Sequence, residues 1–373
     1  MVKCGGKEMN ILIVSKHFSP GFIGHMKAWY KMCEECRYQT ELYFDSQYEK
    51  FFDRNEYNYT TDMVNVENYH PDIAVVQNTG FENVELFKWC EKHNCKIFYI
   101  LHEPYMGIKE LMKDGNYFIK QAVACVLNVW LCAKATRVVL CSKYAEENCK
   151  RYMKGAYRKA VFLPLLFLDD YDEKVCTYRE YFSMIGTYAE PHGSDIFIKY
   201  IREAYESGSK QKFQIATRSN ISDMIADQIY KKMQDAGQLL VQQGRPLTEE
   251  EMSAAYRRSL ATWNGYRRST QSGVLPNAFM QGTPVIATRL GSFEEFVEPG
   301  NTGVFIDDFG CNTITNAIKN IEATGKVMNE KCRSFFLTHF YYRNQLDAFK
   351  KIVEKVEKEE MIVTRLKGGL GNQ

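Results

Sequence analysis

The chain has 373 residues, which at roughly 150 residues per domain predicts two or three domains. Apolar residues make up 45% of it and charged residues 25%, a composition that excludes disorder as its main state. The formal net charge of +2 is spread along the chain, so the sequence contains no basic footprint for nucleic acid.

The sequence shows no secretory signal and no membrane span. The apolar run Ile11–Val14 is too short for a signal core, and the longest apolar stretch, residues 122–135, is shorter than the roughly 20 residues that a span needs. Twelve cysteines without a signal are typical of reduced thiols, and Cys33 and Cys36 are expected to be core side chains on a helix rather than zinc ligands. We therefore expect a cytoplasmic protein, at most attached to a membrane surface.

Short apolar runs alternate with helical patterns in the first half of the chain. The runs are Asn10–Ser15, Leu42–Phe44, Ile73–Val76, Ile97–Leu101, Val138–Cys141 and Val161–Leu163. A loop containing Gly24 follows the first run, a helical pattern covers His25 to Arg37, and residues 45–69 are expected to be irregular. Short buried strands alternating with helices predict a parallel sheet covered on both faces.

The helical pattern over residues 116–135 is strongly apolar. A helix that rests on a membrane surface usually carries a second face rich in Lys and Arg. Because the sequence of this helix lacks such a face, we expect it to pack in the core.

The alternation stops between Pro164 and Tyr181, which predicts a linker, and then restarts. The second set of predicted strands is Tyr181–Ile185, Lys212–Ala216, Gln238–Val241, Ala261–Trp263, Pro284–Ala287 and Gly303–Ile306. The predicted helices are Ser194–Glu206, Asp223–Asp235, Thr248–Ser259, Pro276–Gln281, Phe293–Val297, Asn312–Ala323, Lys326–Thr338 and Tyr342–Glu360. Thr248 and Glu251 form a capping-box pattern at one helix start.

The sequence contains neither a Gly-x-Gly-x-x-Gly nor a Walker lysine loop, and neither a Gly-x-Ser-x-Gly nor a His-Glu-x-x-His motif. Its most specific stretch covers residues 271–303, in one-letter code QSGVLPNAFMQGTPVIATRLGSFEEFVEPGNTG. Ser272 and Gly273 open a predicted helix whose free N–H groups and positive end form an anion site. Glycine at this point lets a diphosphate approach the backbone closely.

This stretch resembles the donor-binding domain of GT-B glycosyltransferases, in particular glycosyltransferase family 4 (group 1). The corresponding family segment reads E-A-x-A-x-G-x-P-V-I-A-x-x-x-G-G-x-x-E-x-V-x-x-G-x-x-G. Residues 10–24, 71–76, 99–104, 135–142 and 185–193 also resemble family segments, so the likeness extends over about residues 10–345. It implies an α/β, GT-B fold with two Rossmann-like domains, whose parallel sheets face an interdomain cleft.

The resemblance also implies a reaction. The protein would be a retaining hexosyl or pentosyl glycosyltransferase that moves a sugar from a nucleotide diphosphate-sugar to a hydroxyl of a glycan or glycolipid, with a UDP-sugar favoured over a GDP-sugar. The family is usually metal-independent and needs no cofactor besides the donor. Its chemistry is a front-face displacement, in which the departing phosphate accepts the acceptor's proton, so that positioning and charge stabilisation carry the catalysis.

The same resemblance assigns site residues. His102, at a predicted strand end, is expected to contact the donor sugar. The expected donor-binding residues are Gly24, Gly186, Thr187, His192, Gln271, Ser272, Gly273 and Val274. Arg245 is expected to stack on the base, with a plain turn as the alternative, and Asn277 is expected to bind the ribose hydroxyls.

Several positions depart from the family pattern. Thr187 stands where the family has Arg, His192 where it has Lys, and Asn277 where it has the second of two paired glutamates. The family's Arg and Lys normally hold the leaving diphosphate. Arg267 and Arg268 are the nearest cations by sequence, and one of them could take this role unless both form a solvated surface pair. His192 could donate a hydrogen bond, or be a charged phosphate partner if its pKa were raised; the alternative is a residue that only starts a helix.

Residues 361–373 form a β-type run that ends in Gly-Gly-Leu-Gly-Asn-Gln, similar to the opening of α-1,2-fucosyltransferase-like domains. We expect them to begin a downstream glycosyltransferase domain, linked covalently in a longer protein. The alternative is a coincidental glycine-rich tail.

These inferences predict a domain organisation and a set of partners. Residues 1–165 form the acceptor-side domain, 166–180 a linker, 181–340 the nucleotide-sugar-binding domain, 341–360 a helix and 361–373 the start of the next domain. The partners are a nucleotide-sugar and a glycan or glycolipid acceptor. Two alternatives stay open: a catalytically degenerate GT-B module that binds glycan or scaffolds the downstream enzyme, and a sugar-nucleotide epimerase, which would need acidic and histidine groups converging on the sugar.

Overall fold

The computed structural model describes residues 9–102, 104–105, 107, 118–175, 178–268 and 272–369. The chain divides into two compact units. The N-terminal unit comprises residues 1–168 and 341–373, and the C-terminal unit comprises Asp169–Phe340. The chain therefore passes between the units twice, and the first passage lies within the segment predicted as a linker, residues 166–180.

The described part of the N-terminal unit contains one parallel sheet. Its strands are β1 (Asn10–Ser15), β2 (Gln39–Phe44), β3 (Tyr59–Thr60), β4 (Ile73–Val76), β5 (Lys96–Ile100), β6 (Arg137–Leu140) and β7 (Ala160–Phe162), in the order β3-β2-β1-β4-β5-β6-β7. Its helices are α1 (Ile23–Glu35), α2 (Met63–Tyr69), α3 (Asn83–His93), α4 (Phe118–Lys134), α5 (Lys143–Tyr152) and α6 (Lys154–Tyr157). Residues Ile11–Val14 of the central strand are fully buried, as expected for a parallel sheet covered on both faces.

The described part of the C-terminal unit contains a second parallel sheet. Its strands are β8 (Tyr181–Ile185), β9 (Lys212–Ala216), β10 (Leu239–Gln242), β11 (Ser259–Asn264), β12 (Val285–Thr288) and β13 (Gly303–Ile306), in the order β10-β9-β8-β11-β12-β13. Its helices are α7 (Ser194–Glu206), α8 (Gln228–Asp235), α9 (Glu249–Arg257), α10 (Val274–Met280), α11 (Phe293–Phe296) and α12 (Cys311–His339). The last helix, α13 (Leu346–Gly369), belongs to the N-terminal unit.

The predicted alternation of strands and helices is confirmed. Every predicted strand is present, and no strand end differs from its prediction by more than three residues. Five strands match residue for residue: Asn10–Ser15, Ile73–Val76, Tyr181–Ile185, Lys212–Ala216 and Gly303–Ile306. The capping box is also present, since the Thr248 hydroxyl accepts the backbone N–H of Glu251 while the Glu251 carboxylate accepts that of Thr248. Two Rossmann-like units with parallel sheets are thus the architecture of the chain.

The prediction that residues 45–69 are irregular is wrong. This segment contributes the edge strand β3, which pairs with β2, and the helix α2. Although the composition of the segment is polar, some of its aromatic residues are buried and pack against one another and against β2. Phe52 and Tyr57 are buried with their ring centroids 5.3 Å apart, and Phe44 of β2 contacts Phe52 at 5.1 Å.

The end of the chain also differs from the prediction. The expected β-type run from residue 361 is helical through Gly369, because α13 continues past Glu360. A helix satisfies its backbone hydrogen bonds within its own segment, whereas a strand needs a neighbour to pair with. Upstream, α13 is anchored to the N-terminal unit, where the fully buried Phe349 packs edge-on against Trp29 of α1, 5.4 Å between centroids.

Candidate functional site

The strand order of the C-terminal unit places a candidate site at the carboxyl ends of β8 and β11. The chain runs outward from β8 through β9 to β10, and then returns to β11 on the other side of β8. Ligands of open α/β sheets bind at such a switch point, outside the carboxyl ends of the strands. The loop after β8, residues 186–193, and the loop after β11, residues 265–273, therefore form the walls of the candidate site.

Two glycines fit these loops together. Gly186 has φ +120°, and a Cβ there would lie 3.4 Å from the Val274 side chain. Gly193 has φ +63°, and a Cβ there would lie only 2.2 Å from the carbonyl oxygen of Gly265. L-residues rarely adopt such φ values, so both the backbone conformation and the available space favour glycine. The structure thus brings Gly186 and Val274, both predicted donor-binding residues, into contact.

Tyr266, a residue that the sequence analysis missed, bridges the two loops. Its buried ring stacks on His192 with 4.4 Å between centroids, and its hydroxyl lies 3.3 Å from the Ser272 hydroxyl. Burial raises the pKa of the phenol, which therefore stays neutral. The available signal was a tyrosine two residues after a buried strand and directly before two arginines.

His192 is placed for a different role from the one predicted. Burial lowers its pKa, although a hydrogen bond to the Thr187 carbonyl oxygen opposes this shift in part. A cationic phosphate ligand would need the opposite shift. Because a carbonyl oxygen only accepts, the Nδ1 atom that lies 3.1 Å from it carries the proton, and Nε2 of the neutral ring is an acceptor. The structure therefore argues against His192 as a positive partner of a diphosphate and makes it a support for the loop.

Arg267 lies at this edge of the sheet but is already paired. Its two Nη atoms each donate to a carboxylate oxygen of Asp195 at 2.7 Å, and its backbone N–H donates to the Pro191 carbonyl oxygen at 2.8 Å. The Asp195 hydrogen bonds raise the pKa of Arg267 further. Arg268 likewise donates its backbone N–H to Pro191, at 3.2 Å. The predicted leaving-group role of Arg267 thus requires it to share its charge with Asp195.

The helix predicted to start the anion site is present. Gly273 is its N-cap and α10 begins at Val274, two residues earlier than the predicted start at Pro276. Ser272 Oγ accepts the Val274 N–H at 3.3 Å, and Asn277 Nδ2 donates to the Gly273 carbonyl oxygen at 2.8 Å. Because α10 has only 7 residues, attraction for an anion here depends on local N–H groups more than on a long helix dipole. Gln271 lies outside the described residues.

Arg245 and Arg218 differ in their surroundings. Arg245 donates through both Nη atoms to the carboxylate of Glu251, so its guanidinium is not available for stacking on a base without breaking that pair.

Arg218, which was not predicted as a site residue, follows β9 at the carboxyl edge and is exposed. Its neighbours Thr217 and Ser219 both accept the backbone N–H of Tyr188 in the loop after β8. Among the described residues, none forms a hydrogen bond or ion pair with the Arg218 guanidinium.

The predicted residues of the N-terminal unit form a second, separate cluster. Gly24 is the second residue of α1, and the His102 ring lies 5.0 Å from Phe22, at the start of the same helix. The ring of His25 lies 6.1 Å from that of His102 and 4.7 Å from that of Phe167. The sequence analysis missed His25, although it directly follows the predicted glycine loop.

His25 is a buried, neutral histidine. Its Nδ1 lies 3.0 Å from the Leu166 carbonyl oxygen, which accepts its proton. Burial lowers the pKa of His25 to about 4, with the Leu166 hydrogen bond acting in the opposite direction. His25 belongs to α1 and contacts two other parts of the N-terminal unit. These are Leu166 and Phe167, just before the end of the first segment of the unit, and the ring of His102.

Within the part of the chain that the structure describes, no group of three or more His, Cys, Asp or Glu side chains is arranged to hold a metal ion. The chemistry available at the two clusters is hydrogen bonding by backbone amides, the charge of arginine and the packing of aromatic rings. Such groups bind and orient an anionic ligand.

Solved structures that resemble this chain define its fold as GT-B. HepE of Anabaena in complex with UDP and glucose has a TM-score of 0.72 at 11% identity, covering 93% of this chain and 100% of that one. Sucrose-phosphate synthase of Thermosynechococcus elongatus has a TM-score of 0.73 at 10% identity, covering 94% and 100%. The pneumococcal O-GlcNAc transferase GtfA in complex with UDP and GlcNAc has a TM-score of 0.67 at 12% identity, covering 94% and 99%.

The family comparison concerns the C-terminal unit. Residues 179–323 match the family model described as "Glycosyl transferases group 1". The match includes both loops of the candidate site. Among curated proteins, none matches the sequence significantly.

Replacing Gly193 by Ala tests the close approach of the two loops. We expect Gly193→Ala to lower the free energy of unfolding by about 3 kcal/mol or more, because it combines a left-handed backbone with a clash against the Gly265 carbonyl. Gly208→Ala is the matched control: Gly208 follows α7 as Gly193 precedes it, has φ +79°, and has open space around its Cβ position. Its cost should be about 1 kcal/mol. Equal losses in urea unfolding would contradict the packing described.

The lowered pKa of His25 predicts a pH dependence. Its folded pKa of about 4 lies below its ordinary value of 6.5, so the unfolded chain binds the proton more tightly and stability is lost as the pH falls from 6.5 towards 4. Between pH 7 and pH 5 this histidine should account for a loss of about 2 kcal/mol.

Urea unfolding at both pH values checks this contribution. In His25→Asn the loss on acidification should shrink by that amount, whereas in His70→Asn, which removes an exposed histidine at a left-handed position, it should not. An unchanged pH dependence in His25→Asn would show that His25 is not the group responsible.

Proposed function

We propose that the protein is a retaining glycosyltransferase that transfers a sugar from a UDP-sugar to a hydroxyl of a glycan or glycolipid. One observation carries the proposal: the segment that matches the group 1 glycosyltransferases, residues 179–323, contains two loops that meet at the switch point of a Rossmann-like sheet. UDP is favoured because the HepE and GtfA structures, which share the fold, are complexes with UDP.

The proposed donor site uses the backbone more than charged side chains. The diphosphate is held by the backbone amides of Thr187, Ser272 and Gly273, and Gly186 and Gly273 leave room for close approach. Thr187, which replaces the family's Arg, offers a neutral hydroxyl. Asn277 binds the ribose through its amide oxygen, since its Nδ2 already donates to Gly273. Such a site positions the donor and stabilises charge on the leaving group.

Arg218 is our candidate for the missing cation. It is exposed at the carboxyl edge of β9, next to residues that bond the loop after β8, whereas Arg267 and Arg245 are each paired with a carboxylate. A charge-assisted hydrogen bond to a departing diphosphate is stronger than a neutral one. Arg267 and Arg268 remain the alternatives.

In the N-terminal unit, His102 would contact the donor sugar, and Gly24, in the acceptor-side glycine loop, would contact the donor, as the family resemblance implies. Retention follows from the same resemblance: the departing phosphate oxygen takes the acceptor proton as the new glycosidic bond forms.

A degenerate binding module is the second candidate function. It is favoured by the neutral Thr187 and His192 at the two positions where the family has cations, and by the pairing of Arg267, a candidate replacement, with Asp195. This candidate predicts binding of nucleotide or glycan without turnover.

A thermal-shift screen with UDP-, GDP-, ADP- and TDP-sugars tests the proposal, because a ligand that binds only the native state raises the melting temperature. We expect UDP-sugars to give the largest shift, and mass analysis of products to show transfer onto a glycan acceptor with the anomeric configuration retained. Binding without transfer across an acceptor panel would favour the degenerate module. The absence of any shift would contradict the transferase, and also nucleotide binding by a degenerate module.

Substitution of Arg218 tests the proposed cation. Arg218→Met should weaken UDP binding by about tenfold or more, because a charged hydrogen bond contributes roughly 1.5–3 kcal/mol. Arg245→Met, at a second exposed arginine in the carboxyl-edge loops, should change the affinity by less than about threefold, since that side chain is held by Glu251. Calorimetric titration of both variants with UDP gives the comparison. An Arg218→Met affinity within twofold of the wild type would assign the charge to another residue.

A further inference from the structure

Helix α4 does not pack as the sequence analysis expects. Its apolar side chains on one side, Leu127, Leu131 and Cys132, are buried in the core of the N-terminal unit. On the other side Ile119 is 75% and Val126 is 72% exposed, where core packing predicts burial. The helix is apolar around most of its circumference, and the sheet can cover only one side of it.

The exposed residues form a continuous stripe. Ile119, Val123, Val126 and Val129 are spaced three or four residues apart, so they lie on one side of the helix, over about 15 Å of its length. Isolated exposed aliphatic residues are common on soluble proteins, but a run of β-branched residues along one helix is a contiguous apolar surface. This stripe is therefore a candidate contact surface.

A basic segment lies on the two helices that follow α4 in the chain. From Cys149 to Lys159 the sequence contains five Lys and Arg residues and no carboxylate, and Lys150, Arg151, Lys154 and Arg158 are exposed. These residues belong to α5, α6 and the turn that follows.

The basic segment and α4 share one face of the unit. Cys149, Met153 and Ala156 belong to the same core cluster as Leu127 and Leu131 of α4, so these helices pack on the same face of the sheet. Lys159 connects them directly, because its Nζ donates to the Ala133 and Ala135 carbonyl oxygens at the end of α4, at 2.6 and 2.9 Å. The cations that the sequence of α4 lacks are thus supplied by its neighbours.

We propose that this α4–α6 face, the stripe of Ile119, Val123, Val126 and Val129 with the basic segment 150–158, docks onto a membrane surface that carries anionic lipid. Stable peripheral attachment takes two signals, an apolar element that enters the boundary of the acyl chains and cations that face the headgroups, and this face has both. Tyr152, 39% exposed and beside Arg151, adds an aromatic ring of the kind found at membrane interfaces.

The mode of attachment is peripheral. Among the described helices, none is long and apolar enough to cross a bilayer, and α4 with 17 residues lies along the unit with one side in the core. Attachment through this face goes beyond the proposed glycosyl transfer and does not depend on it.

Vesicle co-sedimentation tests the proposal. We expect the protein to bind vesicles of phosphatidylcholine with about one third phosphatidylglycerol at low salt, and to bind vesicles of phosphatidylcholine alone far more weakly. Val126→Glu and, separately, Arg151→Glu/Lys154→Glu should each weaken binding by about tenfold or more.

Matched controls lie in the C-terminal unit. Val327→Glu places the same charge at a valine that is 64% exposed on α12, and Lys231→Glu/Lys232→Glu reverses two exposed cations of α8. Neither should change vesicle binding by more than about twofold, and the circular dichroism and melting temperatures of all four variants should match the wild type. If a stripe or cation variant fails this folding check, Val126→Ser or the milder Lys154→Gln takes its place.

Three results would overturn the proposal. The first is no binding to the anionic vesicles at low salt. The second is a Val126→Glu variant that binds as well as the wild type, because attraction by charge alone would then explain the binding. The third is a dimer in solution that Val126→Glu converts to a monomer, since a second copy of the chain would then cover the stripe.

Discussion

The contact between the loop after β8 and the end of β11 is the constraint on which the candidate site depends. The carbonyl oxygen of Gly265 occupies the space where a side chain at position 193 would begin. The loop after β8 can therefore adopt this conformation only with a glycine at that position. Trp263, on β11, donates its indole N–H to the Gly193 carbonyl oxygen at 3.1 Å, and Tyr266 stacks on His192. The end of one strand therefore shapes the loop that follows its neighbour in the sheet, and the two loops are held in place before any ligand binds. Preorganisation of this kind lowers the cost of ordering backbone amides around an anion.

This arrangement explains how the candidate site keeps its shape without the charged residues that the family resemblance leads us to expect. Thr187 and His192 stand at the positions of the expected Arg and Lys, and the structure gives them neutral roles: the Thr187 carbonyl oxygen accepts the His192 proton, and the His192 ring packs against Tyr266. Positive charge is present nearby on Arg267, but Asp195 neutralises it. The catalytic competence of the proposed enzyme therefore depends on whether another cation, for which Arg218 is the candidate, reaches the leaving group.

Much of the fold could be predicted from the sequence, because its signals are local. Runs of β-branched and aliphatic residues such as Ile73–Val76 mark buried strands, and the Thr248–Glu251 pair marks a helix start. The segment 45–69 was missed because Phe52 and Tyr57 are buried by each other and by β2, which no local pattern reveals. The hydrogen-bond and ring-stacking partners of Arg245, Arg267 and His192 could not be predicted either, because they depend on which loops meet in the folded chain. The exposure of one side of α4 could not be predicted from the sequence, because the helix is apolar on most sides and only the structure shows which side packs in the core.

Hydrogen exchange of backbone amides with and without UDP tests the central claim most directly, because the claim concerns amides of particular segments. We predict that UDP slows exchange at Thr187 and at Ser272 and Gly273 together, with little change in the strands of the same sheet, which are already protected. Protection that appears elsewhere in the chain, while both loops exchange as in the free protein, would contradict the account.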